Sequence, residues 1–115
     1  MTPPTNILFV CSKNLWRSPT AERVYSNDPR LAVRSRGLSP KAARRISPTD
    51  LKWADVICVM EYEHLAKLRS QYRSALGQRR VHVLEIPDKY PFMDPRLIKL
   101  IQERVDPLLD ECSVE

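Results

Sequence analysis

The sequence predicts an α/β fold, a four-stranded parallel sheet with helices on both faces, in one domain. Three observations carry this expectation. Four short apolar runs, at 7–10, 31–35, 56–59 and 81–84, are separated by stretches with helical spacing or helix-start signals. The chain has 115 residues, the size of one domain, and 43% hydrophobic residues supply a compact core. The first apolar run ends on a cysteine that is followed, across a short loop, by Arg17-Ser18-Pro19, a helix start.

In chain order, residues 7–10 (Ile-Leu-Phe-Val) read as a buried strand that delivers Cys11 to its C-terminal end. Residues 18–25 read as a helix with Pro19 at its first position, where a missing N–H matters little. Residues 31–35 alternate weakly and read as a second strand, closed by the turn Gly37-Leu38-Ser39-Pro40. Ser47-Pro48-Thr49-Asp50 starts a short helix running to about Trp53. Residues 56–59 form a third strand, and 61–75 one helix with Leu65, Leu68 and Tyr72 on a stripe. Residues 81–84 form the fourth strand. Asp94-Pro95 opens a last helix carrying Leu97, Ile98, Ile101, Val105, Leu108 and Leu109 at helical spacing.

Parallel sheets bind ligands beyond the carboxyl ends of their strands. The loop there after the first strand, Cys11-Ser12-Lys13-Asn14-Leu15-Trp16-Arg17-Ser18, has the composition for attacking a phosphate ester. The amides of Ser12, Lys13, Asn14, Leu15 and Trp16, with the helix N-terminus behind them, present positive dipole to a dianion. The Arg17 guanidinium grips two oxygens in a fork, and the same field favours the nucleophilic thiolate at Cys11. Ester cleavage also requires a proton for the leaving group. Asp88, just past the fourth strand, is the candidate acid. Asp94 is the runner-up but precedes Pro95 and reads as an N-cap.

The wider composition narrows the alternatives. Cys11, Cys58 and Cys112 make no even disulfide framework and lack metal-ligand spacing, so a reducing compartment with one working thiol is expected, with no metal and no cofactor. Cys58 reads as core and Cys112 as idle. His64 and His82 read as helix-surface and strand-surface residues without a role, and Trp53, Tyr62 and Tyr72 as core or rim. No run approaches a membrane span and no secretory signal is evident, so a cytoplasmic location is the expectation. The net charge of +5, with basic clusters at 34–36, 41–45 and 69–80, favours anionic partners, nucleic acid included, although such clusters are as often solvated faces.

Beyond these readings, the chain resembles the low-molecular-weight protein-tyrosine phosphatases. Val10-Cys11-(Ser-Lys-Asn-Leu-Trp)-Arg17-Ser18-Pro19-Thr20-Ala21-Glu22 is similar to that family's phosphate loop and first helix, and Ser35-Arg36-Gly37 to its Ser-Ala-Gly strand end. The stretch from Ala43 to Met60 and the acid loop Ile86-Pro87-Asp88-Lys89-Tyr90 follow in the same order. The resemblance implies the phosphotyrosine phosphatase I-like three-layer fold and a phosphocysteine intermediate. It makes Cys11 the nucleophile, Arg17 the phosphate clamp and Asp88 the general acid. Asn14 would hold a left-handed loop conformation and form a rigidifying network with Ser18 and Ser35, and Tyr90 would line the cleft. The substrate would be a phosphotyrosine protein or small aryl phosphate. The departures are Lys13 in place of Gly, Trp16 (cleft wall or packing) in place of a second cysteine, and Lys41 in place of a supporting His. A missing helix and loop after Gly37 predicts a more open site. Two other functions stay in view: an adaptor that binds phosphate or nucleic acid without turnover, and an arsenate reductase-like enzyme, which needs two further paired cysteines.

Overall fold

The computed structural model describes residues 3–112, with side chains through 109. Its elements are β1 (Thr5–Cys11), α1 (Arg17–Tyr25), β2 (Leu31–Gly37), α2 (Pro48–Trp53), β3 (Val56–Val59), α3 (Tyr62–Gln71), α4 (Arg73–Leu76), β4 (Val81–Val83) and α5 (Pro95–Cys112). All strand pairings are parallel, in the order β2-β1-β3-β4. Apolar β1 is therefore central, as its lack of alternation requires.

The pleat sorts β1 between two cores. Ile7, Phe9 and Cys11 face one side, where Ala21 and Tyr25 of α1 and Leu97, Ile101, Val105 and Leu109 of α5 cover them. Leu8 and Val10 face the other, with Leu51 of α2, Leu68 of α3 and Ala75 and Leu76 of α4. The three-layer arrangement expected from the alternating strands and helices is present. Among the described residues no helix is long and apolar enough to cross a membrane.

Some boundaries differ from the expected ones. β1 and β2 extend to Cys11 and Gly37, which carries strand geometry to the mouth of the loop. The helix expected over 61–75 is broken at Tyr72, whose backbone leaves helical angles (φ −130°, ψ 32°). The break lets Leu68 on one side of it and Ala75 and Leu76 on the other reach the same core. The α2 start is as read: Ser47 caps it, its Oγ accepting from the Asp50 amide at 3.4 Å while Asp50 accepts the Ser47 amide at 3.0 Å. Asp50 is buried and also meets Arg34 and Arg36 of β2, each at 3.2 Å, so part of that basic cluster is structural. Past β4 the ladder resumes, with Leu84 N–H donating to Val59 O and Ile86 N–H to Met60 O, both at 2.9 Å. Between them Glu85 takes a left-handed φ of 55°, a bulge that sends the chain over the carboxyl end of β1.

Candidate active site

The loop between β1 and α1 forms a cradle whose polarity is set by a strap, residues 38–43. Leu38, Ser39 and Ala43 amides donate to the carbonyls of Cys11, Ser12 and Lys13 at 2.9, 2.8 and 3.0 Å. With those carbonyls drawn outward, the amides of residues 12–16 donate to no acceptor among the described residues. Unsatisfied N–H groups at the N-terminus of α1 leave positive dipole at this end of the sheet. Gly37 permits the close approach: a Cβ there would lie 2.6 Å from both Ser12 O and Ala42 Cβ, and 3.0 Å from Asn14 N.

The cradle is shaped by Asn14, buried and left-handed at φ 57°, a conformation Asn tolerates. Its Nδ2 donates to Ser18 Oγ at 2.9 Å and to Ser35 Oγ at 3.1 Å. Ser18 Oγ lies 2.9 Å from Cys11 Sγ at the base of the cradle. Asn14, Ser18 and Ser35 thus meet as the resemblance implies. Lys41 does not replace the supporting His. Arg44 does, donating from Nε to Asn14 Oδ1 at 3.2 Å and from Nη2 to Ser35 Oγ at 2.7 Å and Glu22 Oε1 at 2.6 Å.

Arg17 is 2% exposed and held by one terminal nitrogen. Its Nη1 donates to Ile86 O at 2.8 Å and faces Glu61 Oε1 at 3.3 Å. Nε has no hydrogen-bond partner; Asp88 Oδ1 approaches it at 3.6 Å. A buried guanidinium nitrogen without a hydrogen bond is a donor suited to an oxygen on the two-oxygen face of a phosphoryl group. The depression over Cys11 has a volume of about 150 Å³ and is lined by Cys11, Lys13, Leu15, Trp16, Arg17 and Asp88. Leu15 and Trp16 stand half-exposed, at 55% and 42%, so Trp16 is wall and not underpacking.

Two expected placements differ. Tyr90 does not line this depression: it packs half-buried beside the α5 core, with Lys89 and Arg96 over its ring at 5.5 and 5.1 Å. His64, expected on the helix surface, is fully buried, with Nδ1 accepting from Glu61 N–H at 3.1 Å and Nε2 3.0 Å from Ser12 Oγ. Burial, aided by the nearby Arg17 charge, lowers its pKa to about 4. Asp94 is a cap: its carboxylate accepts from the Arg96 amide at 2.8 Å and pairs with the Arg96 side chain, which holds its pKa low. Cys58 is buried within β3, and the Cys112 side chain lies outside the described residues.

Reasoning from sequence assigns no role to Glu22, Arg44, Glu61 and His64. Two of them carry a signal: Glu22 ends the Ser-Pro-x-Ala-Glu run, and Glu61 follows the third strand at the carboxyl end of the sheet.

No protein-family model and no curated protein matches the sequence. Solved structures do match: the chain has the fold of the low-molecular-weight protein tyrosine phosphatases. One is SP-PTP, the low-molecular-weight protein tyrosine phosphatase of Streptococcus pyogenes (TM-score 0.76, 18% identity, 96% of this chain and 95% of that one). A second is the tyrosine phosphatase Wzb of Escherichia coli K30 in complex with sulphate (TM-score 0.75, 19%, covering 94% and 98%). A third is the YwlE arginine phosphatase of Geobacillus stearothermophilus (TM-score 0.71, 21%, covering 94% and 95%).

Proposed function

We propose that the protein is a cysteine-dependent phosphomonoester hydrolase, with phosphotyrosine or a small aryl phosphate as substrate. The observation that carries the reading is the conjunction at one strand end. Cys11 lies among unsatisfied amides, sharing one small depression with buried Arg17, whose Nε makes no hydrogen bond, and with Asp88.

The chemistry runs in two steps. The Cys11 thiolate attacks phosphorus in line, the S–P bond forming as the P–O ester bond breaks. Arg17 and the amides hold the equatorial oxygens, while Asp88 gives its proton to the leaving phenolate. Water then attacks the phosphocysteine. Asp88, now a carboxylate, takes a proton from that water, and the S–P bond breaks to release inorganic phosphate. Ser18, 2.9 Å from Sγ, donates to the departing thiolate. Leu15 and Trp16 give the mouth an apolar wall suited to an aromatic ring. Neither step calls on a metal or a cofactor.

The phosphate-binding adaptor is the second reading, favoured only by the open, basic mouth at Lys13. A binder has no use for Cys11 and Asp88 in one depression. An arsenate reductase-like cycle needs two further accessible thiols, and of the two remaining cysteines Cys58 is 0% exposed within β3.

The test is p-nitrophenyl phosphate hydrolysis over about pH 5 to 8 with EDTA present. Turnover is expected in wild type, abolished in Cys11→Ser and reduced about 10²–10⁴-fold in Asp88→Asn. Wild type that folds and binds phosphate without turnover would overturn the hydrolase reading in favour of the adaptor.

A further inference from the structure

His64 is a buried polar side chain that the chemistry above does not use. Its bonding identifies its tautomer. Nδ1 accepts from the Glu61 amide at 3.1 Å, so in the neutral ring the proton is on Nε2. Nε2–H therefore donates to Ser12 Oγ, 3.0 Å away. Ser12 is the first residue of the cradle. Glu61, held through its own amide, places its carboxylate 3.3 Å from Nη1 of Arg17, which ends the loop.

We propose that His64 is a positioning residue that closes a circuit, Ser12–His64–Glu61–Arg17, tying the first residue of the anion cradle to its guanidinium clamp. The proposal rests on the anion-binding half of the function above. In the loop from Cys11 to Arg17 the Asn14 side chain anchors the middle, Thr20 holds the Trp16 carbonyl, and the strap holds the carbonyls of residues 11–13. The circuit adds a second hold on Nη1 of Arg17, beside the Ile86 carbonyl, and ties it to the start of the loop. Any rotation of the α3 N-terminus that relaxed the Glu61–Arg17 pair would also have to break the His64–Ser12 bond. The ring fits this role because it carries an acceptor and a donor at fixed separation, and its lowered pKa keeps Nδ1 free to accept across the working pH range. Donor atoms of Glu61, Glu63 and His64 lie within 4.8 Å of one another, as in a cation site. Both ring nitrogens are already engaged, however, and Glu61 faces Arg17. The cluster serves the loop.

The test uses the full chain and two readouts, inorganic phosphate affinity by titration calorimetry and p-nitrophenyl phosphate kinetics. His64→Asn keeps an acceptor where Nδ1 stands but cannot reach Ser12. It is expected to weaken phosphate binding about five- to tenfold, the worth of one net hydrogen bond. The same factor should enter KM, with a smaller change in kcat. His64→Gln, whose amide reaches further, should recover most of the loss. Ser12→Ala, which leaves the His64 core site untouched, should match His64→Asn, and Ser12→Ala/His64→Asn should be no worse than either single variant. Wild-type phosphate affinity in Ser12→Ala, or fully additive losses in the double variant, would overturn the circuit. So would a wild type that fails to bind phosphate. A wild type that binds phosphate but does not turn over would sink the hydrolase reading alone, since the circuit is then judged on affinity.

Discussion

Gly37→Ala tests whether the strap shapes the cradle. Gly37 ends β2 and does not have a left-handed φ, so alanine meets no backbone strain there and the whole effect is steric. The new Cβ would sit 2.6 Å from Ser12 O and from Ala42 Cβ, where ordinary contact is about 3.5 Å. Neither neighbour is the end of a flexible side chain. Relief requires strap and cradle to part by nearly an ångström, at the point where Leu38 and Ser39 amides bond the Cys11 and Ser12 carbonyls at 2.9 and 2.8 Å. Overpacking of this kind costs about 1–3 kcal/mol. A displacement near an ångström in the reacting geometry lowers turnover by about a hundredfold. Urea unfolding with p-nitrophenyl phosphate kinetics measures both. A Gly37→Ala protein with wild-type stability and wild-type kcat/KM would refute the claim that this close approach holds the cradle.

Three further outcomes follow from the same geometry. Asn14→Ala places a Cβ residue at φ 57° without the Ser18, Ser35 and Arg44 bonds, and should lose about 2–4 kcal/mol in chemical denaturation together with most activity. Asp50→Ala leaves Arg34 and Arg36 without their buried partner and uncaps α2, for a loss of about 2–3 kcal/mol by urea titration with little change in kcat, because α2 does not reach the depression. His64 adds a pH dependence. Its folded pKa of about 4 lies below the ordinary 6.5, so the unfolded chain takes up a proton that the fold refuses. Its contribution to stability is complete above about pH 6.5 and declines as pH falls to about 4, by roughly 3 kcal/mol. Stability measured across that window should lose this component of its slope in His64→Gln.

Much of this arrangement is legible in the sequence because it is local. β1 is apolar without alternation, which places it centrally with Cys11 at its carboxyl end. The Cys11-x5-Arg17-Ser18 spacing and the Ser47-Pro48 start are short-range signals that tertiary contacts did not override. What escaped depends on chain segments far apart in sequence. Arg44 reads as one more residue of a basic cluster, and only the strap's return to the cradle turns it toward Asn14, 30 residues away. His64 occupies a polar helix start, and its burial follows from the approach of α3 to Ser12, 52 residues away. Tyr72 has helical spacing, yet two apolar groups needing one core broke the helix there. Tyr90 lies two residues after Asp88, but its ring packs beside the α5 core near Arg96 and is not part of the lining of the depression.

The proposed mechanism requires Cys11 to carry the phosphoryl group between its two steps. The most direct measurement is the intact mass of Asp88→Asn quenched in acid during turnover of p-nitrophenyl phosphate, where loss of the acid–base group should let the intermediate accumulate. One added phosphoryl group is predicted, mapped to Cys11 by peptide analysis and absent from Cys11→Ser. Turnover that proceeds with no phosphoenzyme, or with the phosphoryl group on another residue, would contradict the mechanism.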